Sequence, residues 1–205
     1  MSEYPGLKPT YATAVMYIST AGHFSQILVY DYQDLCEFPP RSENLGKFIR
    51  TKLPSPTVRG HRSRPKITYK SFLEDSRNYE KEIRLYWENM QEFLDEEKNI
   101  INGEVVRLEV VDCTINFRGK MHPFVQWLIE FTGTLHEGEN CYENYVESEV
   151  LEYPIHSTYI LEPPLKATKV TTSLEYHILK DGHIVEYHGE TGAVLSPHEK
   201  LDFIF

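Results

Sequence analysis

The chain has 205 residues, 40% hydrophobic and 13% aromatic, with a formal net charge of −10; that is enough apolar material for one sizeable core, and no apolar run approaches the roughly 18 residues of a membrane span. Its three cysteines, Cys36, Cys113 and Cys141, are far apart and odd in number, which argues against a disulfide framework or a zinc site and for a reducing, cytoplasmic setting. The nine histidines show no HxH or HExxH spacing and there is no Gly-rich phosphate loop, so neither a metal nor a nucleotide cofactor is expected.

Behind Thr10, a plausible N-cap, Tyr11, Ala14, Val15 and Ile18 recur at helical spacing, and after the Ala21-Gly22 break Phe24, Ile27, Leu28 and Tyr30 repeat the pattern. Two short N-terminal helices are expected on that count. Val, Tyr and Ile are also good strand formers, so a hairpin through 12–18 and 26–32 is the alternative. Leu35-Cys-Glu-Phe38 reads as a short strand that Pro39-Pro40 must end.

Residues 41–70 hold nine Lys/Arg against one acid, a balance of +8, which leaves 12 basic against 30 acidic residues, or −18, in the rest of the chain. With Pro54, Pro56, Gly60 and Pro65 this stretch reads as a long basic loop inserted into the domain. Arg59-Gly-His-Arg-Ser-Arg64 has the charge of a nucleic-acid arm, but aromatic interleaving is sparse and the whole chain is acidic. A loop docked against its own acidic domain fits better, and no nucleic-acid partner is expected.

Ser71-Phe-Leu-Glu74 forms a capping box, and Phe72, Tyr79, Ile83, Tyr86, Met90, Phe93 and Leu94 follow as an apolar stripe. A helix over about 72–98, covering a sheet, is predicted. From Glu104 the period becomes two. Val106, Leu108 and Val110 alternate, then Val111, Cys113, Ile115 and Phe117 take the opposite phase, as a bulge near 110–111 requires. Val125, Trp127, Ile129 and Phe131 mark the next strand, Cys141–Tyr153 the one after. Ile155–Leu161, Thr168–Leu179 and Ile184–His188 then complete a curved antiparallel meander, with residues 190–205 as a tail.

Asp181-Gly182 sits between alternating runs and signals a two-residue type I′ turn. With Lys180 and His183 flanking it, Leu179 pairs with Ile184, His177 with Glu186 and Glu175 with His188. Leu174, Tyr176, Ile178, Val185 and Tyr187 then share one face, and Glu175, His177, Glu186 and His188 the other. The polar face is either a solvated checkerboard or the wall of a pocket.

Ala21-Gly-His-Phe-Ser-Gln-Ile-Leu-Val-Tyr-Asp31 with Leu35-Cys-Glu-Phe-Pro-Pro40, Phe131-Thr-Gly-Thr134 and His177-Ile-Leu-Lys-Asp-Gly-His-Ile-Val-Glu186 resemble segments of the SnoaL-like branch of the nuclear-transport-factor-2-like superfamily. The connection over 41–70, residues 135–168 and the tail after Gly189 depart from its pattern. The resemblance implies a single α+β domain over residues 1–205, a cone-shaped curved antiparallel sheet wrapped on N-terminal helices and one long helix. It also implies a cofactor-independent cyclase, isomerase or dehydratase acting on a small hydrophobic or polyketide-like or terpenoid-like substrate; the alternative is a non-catalytic cone that binds a protein partner. In the pocket reading His177, Glu186 and Glu175 are catalytic, because a His beside a carboxylate is an acid or base near neutral pH. Tyr17, Asp31, Trp127, Phe131, Tyr142 and His188 are candidates for the substrate-binding wall. A homodimer through the outer sheet face bearing Gln126, Leu128 and Glu130 is expected.

Overall fold

The computed structural model describes residues 6–35 and 68–205, so the basic stretch over 41–67 and the strand expected at 35–38, beyond Leu35, lie outside the described residues. The chain is α+β and dominated by strands. In order it runs β1 (Leu7–Ile18), β2 (His23–Asp34), α1 (Tyr69–Phe72), α2 (Ser76–Glu96), β3 (Lys98–Ile101), β4 (Glu104–Val106), β5 (Glu109–Gly119) and β6 (His122–Thr132). It continues through β7 (Glu139–Tyr145), β8 (Ile155–Leu161), β9 (Lys166–Thr171), β10 (Glu175–Leu179), β11 (Ile184–Gly189) and β12 (His198–Ile204).

The two N-terminal helices are not formed; the alternative hairpin is, and it reaches further than 12–18 and 26–32. The buried residues of β1 are Ala12, Ala14, Met16 and Ile18, a period of two that small alanines disguise and that no helix can put on one face. A helical stripe through Tyr11, Ala14, Val15 and Ile18 would have buried Val15, which is 41% exposed.

Seven strands form one sheet in the order β10-β11-β8-β1-β2-β6-β5, and five form a second in the order β4-β3-β7-β12-β9. Every pairing is antiparallel except β1 with β8. The expected single meander is therefore two sheets, and the expected tail contributes β12, which pairs with both β7 and β9 and buries Leu201 and Phe203. One hydrophobic core joins them, with Phe24, Ile129 and Trp127 from the larger sheet against Ile101, Tyr142 and Phe203 from the smaller.

Helix α2 starts one turn later than the capping box implied. Thr68 caps the single turn of α1, and the Asp75 side chain accepts from the Arg77 amide at 3.0 Å to cap α2. Its buried face carries Glu82, Tyr86, Met90 and Leu94, while Tyr79 and Phe93 of the expected stripe are exposed. Glu82 is in the core because the Tyr69 hydroxyl donates to it at 2.9 Å, which meets the requirement that a buried carboxyl be hydrogen-bonded. The bulge in β5 falls between Val110 and Asp112 as the phase change predicts. Gln91 of α2 holds it, accepting from the Val110 amide at 2.9 Å and donating to the Leu108 carbonyl at 3.0 Å. No helix among the described residues is long and apolar enough to cross a membrane.

Candidate functional site

The β10–β11 hairpin has the register that Asp181-Gly182 dictates: Leu179 opposite Ile184, His177 opposite Glu186, Glu175 opposite His188. Asp181 and Gly182 take φ of 54° and 92°, and the His183 amide donates to the Lys180 carbonyl at 3.1 Å. The polar face looks outward. Glu186 and His188 are half-buried and all five residues of β10 are exposed, because β10 is the edge strand and among the described residues nothing covers its outer side. His177 is 53% exposed, with Nε2 3.4 Å from Glu175 Oε1. His188 stacks on His156 of β8 with ring centroids 4.4 Å apart, which makes a polar ladder across three strands. Such a face is solvated, so His177→Ala is expected to move stability by only about 0.5 kcal/mol in chemical denaturation.

The proposed wall residues divide. Tyr17 and Asp31 are on that same outer face, where the Asp31 carboxylate accepts from Arg118 Nε at 2.6 Å. Trp127 and Phe131 are core: the Trp127 indole donates to the Tyr86 carbonyl at 3.2 Å, and Phe131 stacks on Phe24 at 4.8 Å. Tyr142 alone of the set lines an interior space.

That space lies between the inner faces of the two sheets and the C-terminal end of α2. It is a cavity of about 920 Å³, walled by Leu28, Tyr30 and Tyr159 from the larger sheet, Tyr142 and Asn144 from the smaller, and Glu97 at the end of the helix. A smaller space of about 120 Å³ shares Tyr142, Asn144 and Tyr159 with it and adds Glu199 and Tyr187. The larger volume is in the range of small-molecule sites.

Asn144, which lines both spaces, stands in a polar row across the second sheet. Asn99, Asn144 and Glu199 stand directly opposite one another on β3, β7 and β12 and so share one face. Asn144 Nδ2 donates to Glu97 Oε2 at 3.1 Å and to Asn99 Oδ1 at 2.8 Å, and the Tyr142 hydroxyl donates to the same Asn99 oxygen at 2.7 Å. Glu97 is the C-cap of α2, with φ −78° and ψ 152°. Burial raises its pKa above the ordinary carboxyl value, and hydrogen bonds from Asn144 and Asn99 only partly offset it. The carbonyl end of a helix acts in the same direction on a carboxylate. Glu199 is raised too, by burial first, against hydrogen bonds from Thr172 and Ser173; its Oε1 is buried without a partner among the described residues.

Burial first, and then the charges of Glu199 and Glu97 within electrostatic reach, push the Tyr159 hydroxyl up, and no hydrogen bond engages that hydroxyl among the described residues. Its ring continues an aromatic chain, 6.5 Å from Tyr142 and 4.9 Å from Tyr187. Two carboxyls raised by burial, each within electrostatic reach of a tyrosine whose hydroxyl no hydrogen bond engages among the described residues, are groups able to take up and return protons. Sequence reasoning missed Glu97, Asn99, Asn144, Tyr159 and Glu199. The one available signal was the run Asp95-Glu-Glu97 at a helix end with no basic residue in its last turn, against the usual preference of the helix dipole.

Among the described residues no three His, Cys, Asp or Glu side chains are grouped to hold a metal ion. No family model matches the chain, and no curated protein matches it. Among solved structures it is similar to a crystal structure from Parabacteroides distasonis named as a "putative protease", with 8% identity and a TM-score of 0.32, over 98% of this chain and 41% of that one. The chain thus spans less than half of that protein's length, and a likeness of this size carries no argument.

Proposed function

We propose that the space between the sheets is the binding site of a small organic molecule and that the chain is a cofactor-independent enzyme of the lyase, isomerase or cyclase kind, with Glu97 as acid–base residue. Glu97 carries this reading: a carboxyl placed at the negative end of a helix, lifted by burial and held by two asparagines is costly to keep, and sites of that kind are where function overrides stability. Glu199 is the complementary proton carrier and Tyr159 the group nearest the reacting atoms. The same chemistry is what the resemblance to the SnoaL-like branch implies. A curved sheet lying over a long helix is in keeping with a cone, whereas the strand β1 in place of N-terminal helices departs from that pattern. A metabolite library read by thermal shift tests the cavity. A compound that stabilises the wild type and loses its effect on Gln26→Trp, which fills the inner face of β2, supports it; hits that act equally on both proteins place binding elsewhere.

The outer face of the larger sheet favours a second reading, a contact between two copies of the chain. Val15, Ile27 and Leu128 form one row across β1, β2 and β6, beside Tyr17 and Ile160, with Val15 and Ile27 41% and 43% exposed. Apolar surface gathered in this way marks an association site more often than a solvated face. Sedimentation at tens of micromolar is expected to show a dimer, and Ile27→Lys a monomer of unchanged circular dichroism. A wild-type monomer at that concentration removes this reading.

A further inference from the structure

The hydrogen-bonding capacity left over around Glu97 leans toward acceptors. The amide hydrogens of Asn144 are directed at Glu97 and Asn99, and the Tyr142 hydroxyl hydrogen at Asn99. Beside Glu97 what remains is mostly acceptor: its further lone pairs and the Tyr159 hydroxyl, which can accept as well as donate; in the adjoining space the Oε1 of Glu199 is unpartnered among the described residues, and Lys200 there is paired with Asp202 at 2.9 Å. A carboxylate offers about four acceptor positions, of which Asn144 takes one on Glu97, so an added donor finds room there. Charge has the same bias. The lining holds five glutamates, Glu96, Glu97, Glu147, Glu149 and Glu152, against one lysine. That lysine, Lys98, already rests on aromatic surface, its Nζ 5.6 Å from the centre of the Tyr145 ring. The remaining walls are aromatic faces, including Tyr30, Tyr142 and Tyr159, which attract a cation and repel an anion.

We infer that the ligand of this cavity carries a protonated amine on a flat, largely apolar body, with the ammonium seated beside Glu97 and Tyr159 and the body against the tyrosines. The ammonium has three donors and no acceptor, the complement of what the walls leave open. An anionic ligand would have to face the glutamates, against which the described lining sets the single cation Lys98. This assignment rests on the cavity being a ligand site and adds the class of molecule that enters it.

Titration calorimetry at pH 7 with 2-phenylethylamine, 2-phenylethanol and 3-phenylpropionate, which share a ring and differ in charge, tests it on the wild type, Glu97→Gln and Gln26→Trp. The amine is expected to bind the wild type about 10- to 100-fold more tightly than the alcohol, the scale of a charge-assisted hydrogen bond against a neutral one, and the acid not to bind. Glu97→Gln should bring the amine down to the alcohol while leaving the alcohol unchanged, and Gln26→Trp should weaken both. Equal binding of amine and alcohol, or tighter binding of the acid, overturns the ammonium preference and leaves the cavity as a site for another class. Binding of none of the three also overturns it, and the library hits on Gln26→Trp then decide separately whether the cavity binds anything. Circular dichroism and a cooperative melt establish that each variant is folded.

Discussion

Glu97→Gln is expected to raise the melting temperature at pH 7 while reducing turnover of the native substrate by about 10²- to 10⁴-fold, the contribution of a positioned acid–base group. Gln preserves the acceptor for Asn144 Nδ2 and removes the charge that burial penalises. The groups facing Glu97 are Asn144 and Asn99, with Tyr142, Tyr159 and Tyr30 beyond, and no cation among them offsets its ionisation. Because the native pKa is raised, the folded state holds this proton more tightly than the unfolded chain. The stability so gained is complete below the ordinary glutamate value of about 4.3 and is lost as pH rises through the raised one. Melting temperatures of wild type and variant should therefore converge below about pH 4 and separate toward neutrality, the variant being higher. Part of the downward slope should persist in Glu97→Gln, because Glu199 is raised by the same cause. A variant that melts lower than wild type at pH 7, or that keeps full turnover, would remove Glu97 from the site.

Gly22→Ala is expected to be among the most damaging single substitutions. Gly22 closes the β1–β2 turn at φ 75°, donates to the Ser19 carbonyl at 3.0 Å and accepts from the Gly133 amide at 2.9 Å. A Cβ there would run into the carbonyl oxygen of Gly133, which is backbone and cannot swing aside. Left-handed strain and the collision together cost roughly 2–4 kcal/mol, which in a chain of this size lowers the melting temperature by about 4–16 °C. Differential scanning calorimetry reads this directly. A change below about 1 °C would mean that the turn does not tie β2 to the end of β6.

The two predictions differ in how far the sequence foretold them. Ala21-Gly22 was legible as a break, since glycine at a chain reversal is a local signal. Its contact with Gly133 was not, because that residue lies 111 positions further along the chain. Glu97 at a helix end was visible as a run of acids. Its partners come from β3 and β7, and nothing near Asn144 in the chain marks it as one side of a polar row.

Where an element depends on neighbours in sequence, the chain by itself determined it. The Asp181-Gly182 turn and the β10–β11 register follow from the positive φ that these two residues accept and a side-chain period of two, although Lys180 before them also takes a positive φ, 51°. The bulge at 110–111 follows from a phase change, and the existence of α2 from a 3.6-residue stripe. Tertiary structure decided the rest. Residues 7–18 had to choose between helix and strand, and the choice rested on β8, which joins β1 in parallel from more than 130 residues away. The outward aspect of His177 depended on β10 being an edge strand, since a polar face is the same string of residues whether a second layer covers it or not. Residues 190–205 resembled a tail because Leu201 and Phe203 make too short an alternation to stand alone; only between β7 and β9 do they become core. The candidate site belongs wholly to this second kind, since Glu97, Asn144, Tyr159 and Glu199 share an environment only when two sheets and a helix end are brought together, and the burial that lifts the carboxyls exists only there.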